Sequence, residues 1–69
     1  MSRVEVAVAE AYRQHWASIL ATVAGLTRDL DAAEDATQEA FISALPAWLR
    51  DGVPANPAAW LTTVAGRIR

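Results

Sequence analysis

The chain has no cysteine, no lysine, a single histidine and three glycines among its 69 residues. Without cysteine there is neither a disulfide framework nor a thiolate metal site. One histidine is too few for the usual zinc ligand sets, so no metal and no cofactor are expected. No apolar run approaches the roughly 20 residues needed to cross a bilayer. The N-terminus lacks the charged-then-apolar layout of a signal peptide, so no membrane partner and a cytoplasmic setting are expected. Positive charge is scarce: six arginines face eight carboxylates, for a net charge of −2. A chain with that balance does not by itself grip duplex DNA through its phosphates, unless a larger partner supplies the positive field. There is no glycine-rich phosphate loop, and Ser2, Ser18 and Ser43 have no convincing base with an orienting acid, so the chain is not read as an enzyme.

What is present is helix-forming and apolar. Hydrophobic residues make up 54% of the chain and charged ones 20%, which is globular, not disordered. Much of the apolar content is alanine, the best helix former and the smallest contributor of buried area. The core is therefore expected to rest on Trp16, Ile19, Leu20, Val23, Leu26, Phe41, Leu45, Trp48, Trp60, Leu61, Val64 and Ile68.

Ser2 and Glu5 form an S-x-x-E capping box. From there Val4, Val8, Tyr12, His15 or Trp16, Ile19, Val23 and Leu26 recur at steps of three and four, predicting a helix over about residues 3–27. Gly25 is a plausible fraying point and 27–29 a short connection. Asp31 with Glu34 repeats the capping logic and opens a second helix over about residues 32–48. Pro46 should end or kink it, with at most a distorted turn through Trp48. A loop over about residues 50–56 carries the turn signal Asp51-Gly52. Asn56-Pro57 reads as the cap and first residue of a third helix over about residues 57–69. That helix reaches Arg69 with only Gly66 as a weak stop signal, which implies a C-terminally truncated piece. The fold class is all-α: a small bundle of three main helices packed antiparallel through short connections.

One pattern exceeds what a core requires. In the second helix Asp35, Gln38, Glu39 and Ile42 share a stripe, while Ala33, Ala36, Ala40, Phe41, Ala44 and Leu45 fall mainly on the other side. No arginine lies between Arg28 and Arg50 to neutralise this acid–amide–acid strip. Such a strip suits an arginine-rich partner helix, with charge-assisted bonds around a small dry contact. The three tryptophans read first as packing mass, and Trp60 also as a base-stacking ledge after the loop. His15 reads as a half-buried, satisfied histidine.

The segment A-A-E-D-A-T-Q-E-A-F-I-S-A-L, followed by N-P-A-A-W-L-T-T-V-A, resembles region 2 of bacterial RNA polymerase sigma factors. The extracytoplasmic-function (ECF) branch is the most similar. The resemblance covers nearly the whole chain. It implies a compact helical domain that docks on the coiled-coil clamp helices of the polymerase β′ subunit. It further implies a loop and last helix that capture the unwound non-template strand of the promoter −10 element. Carried over by position, the resemblance assigns Asp35, Gln38 and Glu39 to polymerase binding, and Ile42 joins them as the apolar end of the same stripe. It assigns Arg50, Asn56, Trp60, Thr63 and Arg67 to DNA. Core polymerase and promoter DNA are then the partners, with room for an anti-sigma factor. Two other readings stay open on the residues alone: a helical interaction or regulatory module that does not bind polymerase, and a stand-alone helix-turn-helix DNA binder.

Overall fold

The computed structural model describes residues 2–68 and contains three helices in chain order. Helix α1 is Arg3–Thr27, α2 is Leu30–Asp51 and α3 is Pro57–Ile68. The all-α bundle expected from the periodicity is what forms. The end of the third predicted helix, Arg69, lies outside the described residues. The long axis of 35 Å is set by α1, whose 25 residues span about 37 Å at the usual rise. Helix α2 runs back along α1, so that Phe41 meets Tyr12 and Trp16 while Leu45 borders the same groove as Val8. Helix α3 begins beside the N-terminal half of α1, with Pro57 next to Ala7, Ala11 and Gln14.

Local chemistry accounts for most boundaries. The Ser2 hydroxyl accepts the Glu5 amide at 3.1 Å, and the Glu5 carboxylate accepts the Ser2 amide at 2.7 Å, which completes the predicted capping box. Asn56 Oδ1 accepts the Ala59 amide at 3.1 Å, so Asn56 does cap α3 ahead of Pro57. The second helix starts differently from expectation. Helix α1 runs past Gly25 and stops at Arg28, which is left-handed (φ 60°) and donates its amide to the Ala24 carbonyl at 2.8 Å. Asp29 then lies in extended conformation and caps α2 through the Ala32 amide at 3.2 Å. Asp31 falls inside the first turn, where its charge favours the helix dipole without capping it.

Pro46 does not end α2 either. The helix continues through it to Asp51 and closes at Gly52, whose φ of 89° is open to glycine but strained for any side chain. An interior proline forfeits the bond to the carbonyl four residues back, here that of Ile42. Both Pro46 and Ile42 are exposed, so water can reach the freed carbonyl. On the opposite side Trp48 is 1% exposed, and its packing rewards continuing the helix. The loop is accordingly shorter than predicted, residues 52–56.

The core also differs from expectation. Ile19, Val23, Phe41, Trp48 and Leu61 are buried, but the remaining six members of the buried apolar cluster are Ala11, Ala33, Ala36, Ala40, Ala44 and Ala65. Leu26 is 65% and Ile68 39% exposed, because each sits at a helix end beyond the reach of the other helices. The alanines let helix axes approach toward the short end of the usual 8–10 Å range. Thr37 is buried among them, its hydroxyl donating to the Ala33 carbonyl at 2.7 Å. Such an interface has no space for added volume. Ala40→Leu is expected to lower the urea midpoint by an amount equivalent to about 1–3 kcal/mol. An unchanged midpoint would show that α2 has slack where it meets its neighbours.

Candidate functional site

The packing of α2 divides it sharply. Ala33, Ala36, Thr37, Ala40, Phe41, Ala44 and Trp48 face inward, which turns Asp35, Gln38, Glu39 and Ile42 to solvent. Ile42 is 69% exposed, the highest value among the large apolar side chains. Two ion pairs occur among the described residues, Arg13–Glu10 at 2.6 Å and Arg50–Asp51 at 2.9 Å. Neither involves Asp31, Glu34, Asp35 or Glu39. The Asp35, Gln38 and Glu39 side chains make no hydrogen bond among the described residues; only the Glu39 carbonyl is engaged, by the Ser43 hydroxyl at 2.8 Å. A strip of this kind offers acceptors and one aliphatic contact while costing the fold nothing to unmask.

The second group of candidates falls mostly on one line. Asn56, Trp60, Thr63 and Arg67 follow one another at steps of four, three and four, and so share one side of α3. Asn56, Thr63 and Arg67 are exposed and Trp60 is half-buried. The Trp60 ring meets Trp48 edge-on with centroids 5.5 Å apart, so the indole is anchored from below by the core. Trp48 is itself unusual, because its buried Nε1–H has no acceptor among the described residues. Asn56 uses its amide oxygen for the cap, which leaves the amide nitrogen uncommitted.

Arg50 is not on this line. It occupies the last turn of α2 and holds Asp51 through two bonds, Nε–Oδ1 at 3.1 Å and Nη2–Oδ2 at 2.9 Å. The bidentate bond keeps the Arg50 guanidinium protonated to higher pH than usual and holds the Asp51 carboxyl below its ordinary value. Acidification through that lowered value would release the arginine. Because both groups are fully exposed, solvent and salt screen the pair.

Two features went unread in the sequence. Tyr12, taken as part of the apolar stripe of α1, is 51% exposed and stacks on Trp16 with centroids 5.1 Å apart. It lines a shallow apolar groove with Glu5, Val8, Ala9 and Leu45. Leu49 is 61% exposed on the same side of α2 as Ile42. The choice of tyrosine, amphipathic by nature, and the seven-residue step from Ile42 to Leu49 were the available signals. His15 is half-buried as expected, beside Glu10, Gln14 and Pro57. Among the described residues no three of His, Asp and Glu gather so as to hold a metal ion, and no helix is long and apolar enough to cross a membrane.

Comparison with known proteins gives the arrangement a context. Residues 9–68 match the family model for sigma-70 region 2. The chain is 44% identical to the ECF RNA polymerase sigma factor SigJ of Mycobacterium tuberculosis, over 94% of this chain and 19% of that protein. It is 60% identical to an uncharacterized protein of Rhizobium meliloti, over 54% of this chain and 9% of that protein. The chain thus spans at most a fifth of the length of these two relatives. No solved structure matches it.

Proposed function

Since the chain belongs to the sigma-70 region 2 family, as a region 2 domain of the ECF kind, we propose that it acts without catalysis in transcription initiation. In this reading the outward face of α2, through Asp35, Gln38, Glu39 and Ile42, docks on the clamp helices of the polymerase β′ subunit. The end of α2, the loop and the outer side of α3 then hold the non-template strand of the −10 element. The observation that carries the docking half is the acid–amide strip, unpaired among the described residues, with its exposed isoleucine, on a helix whose other face is filled. Basic side chains on a partner helix would make charge-assisted bonds to it, and Ile42 would supply the dry contact.

The DNA half is supported by stacking more than by charge. A net charge of −2 leaves the phosphates to be neutralised by polymerase. Trp60, braced by Trp48, offers a surface for an unstacked base, a contact worth about 1–3 kcal/mol. Asn56 and Thr63 add polar atoms along the same side of α3. Co-purification of the protein with core polymerase, followed by transcription from a candidate promoter, tests the whole reading. Absence of retention on polymerase would reject it in favour of an interaction module with another partner.

The Arg50–Asp51 pair yields a specific expectation. Asp51→Asn frees the guanidinium for a phosphate, so the polymerase complex of this variant should bind a promoter single strand more tightly. The slope of log affinity against log salt should steepen by about 0.7 per added phosphate contact. Unchanged affinity and slope in a salt titration would place Arg50 away from the strand.

A further inference from the structure

Among the described residues, Trp48 Nε1 is the one buried side-chain nitrogen or oxygen without a hydrogen-bond partner. The ring is 1% exposed, so the N–H is also out of reach of solvent. Such a donor is costly to leave idle, and its surroundings call for an account. Beside it lies the Trp60 ring, with centroids 5.5 Å apart and planes at 71°. In that arrangement one indole turns its edge toward the face of the other. Chemistry decides which. The face of an aromatic ring is electron-rich and its edge is positive, for an indole most of all at the N–H. Of the two rings, Trp48 is the one whose N–H is both buried and unpartnered.

Trp60 has something left to be fixed. Its amide donates to the Asn56 carbonyl at 3.1 Å, and Asn56 also caps α3 through the Ala59 amide. The first turn of α3 therefore holds the Trp60 backbone, while its side-chain torsions depend on what the ring meets. We propose that Trp48 is a positioning residue for the strand-facing indole: its Nε1–H donates into the inner face of Trp60 and fixes the plane on which a base stacks. This rests on the reading of Trp60 as a stacking surface and narrows that surface to one face, since the other is occupied. A π face is a weaker acceptor than a carbonyl, so the contact orients Trp60 more than it stabilises the fold. Phenylalanine at position 48 would offer Trp60 only weakly polar C–H groups.

Two measurements test the inference. In the ¹H–¹⁵N spectrum of the protein, the Trp48 indole proton should lie upfield of those of Trp16 and Trp60, through the Trp60 ring current. Trp60→Phe should keep it upfield and Trp60→Leu should return it downfield. A Trp48 proton at the ordinary indole position in the parent would overturn the inference. The second measurement is the affinity of the polymerase complex for a fluorescent single strand from a promoter that the parent complex transcribes. Trp48→Phe should weaken strand binding about threefold, near the cost of ordering one freed side chain, with retention on polymerase unchanged. In a Trp60→Leu background the same substitution should have no further effect on the strand. Equal loss of strand and polymerase binding would make Trp48 a structural residue only and overturn the inference. Parent-like strand affinity for Trp48→Phe, with Trp60→Leu defective, would overturn it while the stacking surface stands. Parent-like affinity for Trp60→Leu would remove the stacking surface, and the inference with it.

Discussion

Glu39→Arg is expected to reduce affinity for core polymerase by about 100-fold, close to 3 kcal/mol, without changing helix content or thermal midpoint. The size follows from replacing an attraction by a repulsion at a desolvated contact, where like-charge juxtaposition costs several kcal/mol. The fold should be indifferent, because Glu39 is exposed, its side chain has no partner among the described residues, and arginine is as good a helix former as glutamate. Gln38→Ala removes only the amide and should cost about tenfold, near 1.4 kcal/mol. Equilibrium binding of the purified variants, with circular dichroism alongside, gives the answer. Parent-like affinity for both would remove the outward face of α2 from the interface.

Trp48→Ala is expected to leave the domain largely unfolded at 37 °C. At 1% exposure Trp48 is the largest fully buried side chain, and truncating such a residue costs about 3–5 kcal/mol. A domain of this length has a total stability of only about 3–10 kcal/mol. Trp48→Phe should behave very differently. It keeps an aromatic ring against Trp60 and deletes the indole N–H that has no acceptor among the described residues, an unpaired donor costing about 1–3 kcal/mol. That gain offsets much of the lost area, so the variant should lie within about 2 kcal/mol of the parent in urea unfolding. A Trp48→Ala protein that unfolds at the same urea concentration as the parent would mean that the alanine contacts hold the bundle by themselves. These two aromatic rings also link stability to the DNA-facing side of α3, since Trp60 rests on Trp48.

The elements that were legible in the sequence are those whose causes lie within a few residues. The Ser2–Glu5 box and the Asn56 cap each join groups three residues apart, so the residue types at that spacing are sufficient warrant. The family motif around Asp35, Gln38 and Glu39 is equally local, and it led to the strip that the packing leaves exposed. The misreadings have a common origin. Asp29 takes the cap that Asp31 was expected to hold because Arg28 turns left-handed just before it, a conformation that the residue type does not announce. Pro46 stays within the helix because its ring and the freed carbonyl lie on the wet side while Trp48 is held on the dry one.

Hydrogen bonds between near neighbours along the chain decide that there are three helices, roughly where they begin, and which motif the middle one carries. That much is available from residue order alone, since a helix and its caps are built from contacts spanning no more than about four residues. Burial is set by atoms brought from elsewhere in the chain. The bundle therefore determines that six alanines join five larger side chains in the interior, that Leu26 and Ile68 project beyond their neighbours, and that Ile42 and Leu49 face outward. It likewise sets Trp60 on Trp48, so that this ring is half-buried while Asn56, Thr63 and Arg67 on the same side of α3 stay exposed. A side chain's exposure depends on which helix covers it, and no periodicity within its own helix specifies how far that neighbour reaches.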